Sequence, residues 1–158
     1  MELAPERIAR LEDDAVVVLD QRRLPGEEGE LRCSTAAEVA EAIRPLAVRG
    51  APLIGIAAAY GLVLAVERGE DPDEAYETLV GSRPTAVNLR WALDAMRAEP
   101  TRERARALHE DEVARCRALG AHALPLFPAG ARVLTHCNAG ALATGGYGSA
   151  IGAIRAAW

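Results

Sequence analysis

The first dense apolar cluster is residues 15–19, AVVVL, a β-branched run that predicts a strand. The stretch LPGEEGE, Leu24 to Glu30, predicts a turn, and LRCS returns as a second strand, so the two form an antiparallel hairpin. From Thr35 the apolar spacing lengthens to a helical period. Val39, Ile43 and Leu46 share one stripe, and Thr35 with Glu38 makes a capping box that satisfies free amides at the helix start. The stretch VRGAPLIGIAAAYGLVLAVERG is apolar on every side of a helix and crowded with Gly and Ala, which predicts a central, buried helix with Pro52 in its first turn. A third helix, DPDEAYETLVGS, opens at Asp71 and Pro72. A fourth, RPTAVNLRWALDAMRAE, has Pro84 at its entrance. A fifth, TRERARALHEDEVARCRALGAHAL, is long and rich in i,i+4 charge pairs. After LPLFPAGA the pattern changes again: a strand from Arg132 to Thr135, a turn carrying His136, Cys137 and Asn138, then a Gly-rich helix. The predicted architecture is α+β and mainly α for residues 1–129, a β-hairpin with a helical bundle. Residues 130–158 read as the opening strand and helix of an α/β unit, with the boundary between Pro125 and Gly130.

Composition narrows the class. The chain has 158 residues and half are apolar, enough for a real core. Aromatics are only 4 %, so that core is built from Ala, Leu, Val and Ile. The net charge of -5 argues against a nucleic-acid surface, and every basic residue other than the three histidines is Arg. The absence of Lys excludes Schiff-base chemistry from this chain. Cys33, Cys116 and Cys137 are far apart and odd in number, which fits neither a disulfide framework nor a metal site and points to a reducing cytoplasm. The charged N-terminus lacks the apolar core of a signal peptide, and the run Ala51 to Ala65 is short for a bilayer and broken by Gly and Pro, so no membrane partner is expected.

Three turns carry candidate chemistry. In Arg49-Gly50-Ala51-Pro52, Gly50 permits an unusual backbone angle, and the amides of a helix start attract anions beside the Arg49 charge. The alternative is a plain connection with Arg49 in solvent, and spacing alone leaves the two level. Ser82-Arg83-Pro84-Thr85 repeats the design. Alone it reads as a solvated Arg; its pairing with the first turn favours a clamp on one phosphorylated ligand over that reading. In Thr135-His136-Cys137-Asn138-Ala139-Gly140, a cysteine beside an imidazole stands at a strand's carboxyl end, where ligands of open α/β sheets bind. A free Cys is otherwise most often a small buried hydrophobe. Cys33 and Cys116 take that bland role, and His109 and His122 read as helix residues without a defined partner.

Four stretches, LDQRRLPGEE, VRGAPLIGIAAAYG, SRPTAVNLRWAL and LTHCNAGALATGGYGSAIGAIRAA, together resemble the methylthioribose-1-phosphate isomerase family, in the family's order and over almost the whole chain from Leu19. The superfamily also contains ribose-1,5-bisphosphate isomerases and regulatory subunits of a translation initiation factor. The resemblance implies conversion of an aldose phosphate, 5-methylthioribose 1-phosphate, to the ketose 5-methylthioribulose 1-phosphate in methionine salvage, without metal or nicotinamide cofactor. It implies that Arg49, Gly50, Ala51 and Arg83 bind the phosphorylated sugar and that Cys137 is the catalytic cysteine. It implies that residues 130–158 are the first strand and helix of a Rossmann-like C-terminal domain, and it places the family's catalytic aspartate, a glutamine and an Asn-Lys pair beyond Trp158. The expectations are therefore an N-terminal portion inactive alone, and association as a homodimer or with a C-terminal domain. Ribose-1,5-bisphosphate isomerase, or a non-catalytic interaction module like the initiation-factor subunits, are the alternatives.

Overall fold

A computed structural model describes residues 3–158. The chain opens with a short helical turn, Pro5–Arg7, and a three-stranded antiparallel sheet: β1 (Ala9–Leu11), β2 (Val16–Leu19) and β3 (Glu30–Cys33), with β2 in the middle. The hairpin read from sequence is β2 and β3, in the register Val16↔Cys33 to Leu19↔Glu30. The strand β1 was not foreseen, because Ile8-Ala9-Arg10-Leu11 has no β-branched run. It forms because Ala9 and Leu11 find the core. On the other face Arg10, Val17 and Arg32 lie in one cross-strand row. The arginine stems cover Val17, and their heads are tied by Glu12, Glu30 and Asp14.

Three helix starts follow the sequence chemistry. Helix α1 (Ala36–Ile43) is capped by Thr35, whose hydroxyl accepts the Glu38 amide. The Glu38 carboxylate accepts the amide of Ser34, one residue earlier than a simple capping box requires. Helix α3 (Pro72–Val80) is capped by Asp71, which accepts the amides of Asp73 and Glu74. Helix α5 (Arg102–Ala123) is capped by Thr101. The stripe of α1 ends before Leu46: Pro45 cannot extend the helix, and Leu46 turns left-handed into solvent. The charge pairs of α5 do not follow the expected i,i+4 spacing: Arg115 holds Glu112 three residues away, and Arg104 reaches back to Glu99 and the carbonyl of Ala95, outside the helix. Arg102 holds Glu67 and the carbonyls of Glu12 and Asp13, locking the loop between β1 and β2 onto the bundle.

Helix α2 (Ala51–Glu67) is the axis of the fold. Every residue from Leu53 to Ala65 is buried. Its small residues do what their size allows: a Cβ at Gly61 would press on Leu79 and Val39, and one at Gly55 would overlap the carbonyl of Asn88. Helix α4 (Val87–Arg97) thus lies almost in backbone contact with α2. It does not begin at Pro84. The Ala86 amide bonds Arg83 O, so Pro84 occupies the second position of a tight turn that suits its fixed φ, and the helix starts after Ala86.

The last stretch departs most from expectation. Residues 131–136 carry no regular structure, and no strand lies beside them among the described residues. A strand cannot close its ladder without a neighbour, so Leu134 is almost fully exposed, at 97 %. The Gly-rich helix is two helices, α6 (Ala141–Thr144) and α7 (Ala150–Ala157), split by a turn with Gly145 and Gly148 at positive φ. Both pack back onto the bundle, α6 on α2 and α7 on α5. No helix among the described residues is long and apolar enough to cross a membrane.

Candidate functional site

Helix direction decides where the three turns meet. The Tyr76 hydroxyl donates to Asp94 at 2.6 Å and Arg97 pairs with Asp73 at 2.7 Å, so α3 and α4 run antiparallel. Helix α3 likewise returns along α2, with Leu79 against Gly61. Two reversals leave α2 and α4 running the same way, side by side at Gly55 and Asn88. Their starting turns, with Arg49 and Arg83, therefore open at the same end of the bundle.

Helix α6 joins them there. Gly50 has φ 105, and a Cβ on it would overlap the backbone of Ala143. Glycine is thus required twice, by its dihedral and by a close approach of two backbones. Cys137 stands in the turn that leads through Asn138 and Ala139 to Gly140, the residue that caps α6. It is exposed, as is His136, and has φ 69, a left-handed backbone that non-glycine residues seldom adopt. Arg49 is exposed and Arg83 half-buried. Neither guanidinium has a carboxylate partner among the described residues, unlike Arg10, Arg22, Arg32 and Arg102. The structure thus brings Arg49, Gly50, Ala51 and α6 into one neighbourhood, places the Arg83 turn at the same end, and leads the Cys137 turn into it. Cys137 does not stand at a paired strand's end, as the sequence suggested.

Sequence reasoning missed the residues beneath this site. Gln21 lies two residues past β2, and it is buried with Asp20. Its amide bonds Ala47 O at 3.0 Å, and its side-chain Nε2 donates to Leu142 O in α6 at 2.8 Å. Beside it, buried Asp20 accepts a two-point contact from Arg22, which holds its carboxyl below the usual range against the opposing effect of burial. His109, read from sequence as having no partner, is buried and has two. Its Nε2 lies 2.6 Å from Gly145 O and its Nδ1 2.8 Å from the Tyr60 hydroxyl. A carbonyl only accepts, so Nε2 carries the proton and Nδ1 accepts from Tyr60. Burial pushes the His109 pKa down and that of Tyr60 up. The one signal for these residues in the sequence is a polar pair, Asp20-Gln21, ending an apolar strand.

Comparisons with known proteins place the chain in a family. A model of the Initiation factor 2 subunit family matches residues 47–158. Methylthioribose-1-phosphate isomerase from Anaeromyxobacter sp. (strain Fw109-5) is 53 % identical over 153 residues, 91 % of this chain and 45 % of that protein. The protein of the same name from Alkalilimnicola ehrlichii is 51 % identical over 164 residues, 92 % of this chain and 47 % of that one. Among solved structures, 5-methylthioribose 1-phosphate isomerase from Pyrococcus horikoshii OT3 has a TM-score of 0.82 at 31 % identity, over 98 % of this chain and 51 % of that one. Translation initiation factor eIF-2B, subunit delta, from A. fulgidus has a TM-score of 0.76 at 37 % identity, over 94 % and 50 %. The chain spans about half the length of the relatives it matches. With the family model covering everything from α2 onward, and relatives this similar over nine-tenths of its length, the chain belongs to the Initiation factor 2 subunit family.

Proposed function

We propose that this chain supplies the phosphate-binding turns and the cysteine of an aldose–ketose isomerase that converts 5-methylthioribose 1-phosphate to 5-methylthioribulose 1-phosphate. The observation that carries the reading is the 53 % identity, over 91 % of the chain, to a protein of that name. The geometry supports it. An anionic group at the shared end of the bundle would meet the first amides of α2 and the unpaired charges of Arg49 and Arg83. The phosphate sits on the anomeric oxygen, so the sugar ring must open while that phosphate stays attached, and hydrogen must move between C2 and C1. A phosphate held by fixed amides and two guanidiniums keeps C1 and C2 in place through that change. Cys137, on the turn beside it, is positioned to stabilise the transition state at the reacting carbons. In this reading residue 130 opens a Rossmann-like unit, and residues 132–135 pair as a strand once parallel neighbours lie beside them. The compartment is the cytoplasm.

A second reading, a subunit-like interaction module, is favoured by the 37 % identity to the A. fulgidus protein. One experiment separates the two. Residues 1–158 replace the corresponding half of the Anaeromyxobacter isomerase, and chain and chimera are assayed on 5-methylthioribose 1-phosphate and on ribose 1,5-bisphosphate. The expected result is turnover of the thioether sugar by the chimera and none by the chain alone. Turnover of the bisphosphate instead reassigns the substrate. A folded chimera inactive on both sugars overturns the isomerase reading in favour of the module.

A further inference from the structure

We infer that Gln21 and His109 are positioning residues, a two-point clamp that seats α6 on the Gly50 turn and so sets where the Cys137 turn stands relative to Arg49. The functional importance of that spacing rests on the isomerase reading; the clamp itself does not.

A helix as short as α6 cannot hold itself. Helix formation costs most in its first turn, and the carbonyls of its last turn have no partner within the helix. Two of the carbonyls in and after α6 are taken by side chains from distant elements: Leu142 O by Gln21 Nε2, from the end of β2, and Gly145 O by His109 Nε2, from α5. Between them lies Ala143, whose backbone touches Gly50. The grip therefore brackets the contact. Each clamp residue is itself fixed. Gln21 is tied by its backbone to Ala47, just before the Arg49 turn, and His109 is held by Tyr60 of α2. Leu142 O can only accept, so the orientation of the Gln21 amide is settled. Its Oε1 then points to a buried place with no hydrogen-bond partner among the described residues.

That orphan acceptor gives a test that separates positioning from stability. Gln21→Met removes the clamp bond and exposes Leu142 O as an orphan, but it also removes the orphan Oε1, so global stability changes little. Amide hydrogen exchange is measured on the full chain, alongside its denaturant midpoint, for the wild type, Gln21→Met, His109→Phe and His109→Gln. In α6 and the turn after it the reporters are the amides of Ala143, Gly146 and Gly148; in α2 they are those from Leu53 to Ala65. In Gln21→Met and His109→Phe the α6 reporters should exchange about fivefold faster or more, with α2 unchanged. His109→Gln keeps a donor where Nε2 was and should restore protection. The rate at which iodoacetamide alkylates Cys137 should change with the α6 exchange. If His109→Phe fails to fold, Gln21→Met and His109→Gln still decide. Unchanged α6 exchange in Gln21→Met, acceleration there matched by α2, or no rescue by His109→Gln overturns the clamp, whatever the chimera does with substrate.

Discussion

Among single residues, the three cysteines differ most in environment. Burial pushes the Cys33 thiol up to about 11 and raises that of Cys116, where nearby Glu112 adds to the effect, whereas Cys137 is exposed. A thiolate reagent at neutral pH should therefore modify Cys137 in the native chain and reach the other two only after denaturation. Comparable native labelling of Cys33 would show the β3 packing to be wrong. Gly50→Ala places a side chain against the Ala143 backbone at φ 105 and should cost about 2 kcal/mol or more, read as a lower denaturant midpoint. Arg49→Ala should leave that midpoint within about 0.5 kcal/mol, because the side chain is exposed and has no partner among the described residues. In the chimera the same change should weaken substrate binding by about 1.5–3 kcal/mol, the loss of one charge-assisted contact. Equal affinity in Arg49→Ala and wild type would remove Arg49 from the phosphate site. Arg49, Gly50 and Cys137 were legible because each sits in a short motif. Gln21 and His109 were not, because their roles depend on carbonyls that the fold brings from far along the chain.

At the scale of elements, α5 carries a titratable device. His109 is buried and neutral, with its pKa held below the ordinary value of 6.5 chiefly by desolvation, while the bond to Gly145 O and then the charges of Glu6, Glu110 and Glu112 pull the other way. The unfolded chain takes up a proton at higher pH than the folded one does. The contribution of His109 is therefore complete above the unfolded value and is lost as pH falls through the lower folded value. Denaturant midpoints between about pH 8 and about pH 5 should decline on the acid side, and His109→Gln, which keeps the Nε2 contact without a titrating ring, should decline less. Identical slopes would mean that carboxylates elsewhere dominate. Most elements could be read locally: Thr35, Asp71 and Thr101 cap their helices by side-chain contacts within three residues. The start of α4 could not, since Pro84 fits both a helix entrance and a turn, and the Arg83–Ala86 bond chose the turn.

For the whole molecule, the polar surface is interrupted where Leu126, Val133, Leu134 and Trp158 are exposed, the last two almost completely. Val133 and Trp158 line one open groove with Phe127 and Ile154, flanked in sequence by Leu126 and Leu134, and apolar surface gathered in this way marks a site of association. The purified chain should therefore associate, with a concentration-dependent mass above its 16.7 kDa in sedimentation, and Leu126→Glu with Leu134→Glu should shift it toward monomer. A monomer at every concentration would refute this.

The sequence by itself determined the hairpin, the caps and the buried α2, because β-branched runs, capping hydroxyls and periodic apolar residues act over a few positions along one chain. It also marked the three turns that carry Arg49, Arg83 and Cys137. Only the tertiary structure decided that β1 completes the sheet, that residues 132–135 lack a neighbour and that α6 lands on Gly50. The reason is physical. A ladder, a backbone-to-backbone approach and a bond from Gln21 to Leu142 all need groups that the sequence keeps far apart, and only packing around α2 makes them neighbours.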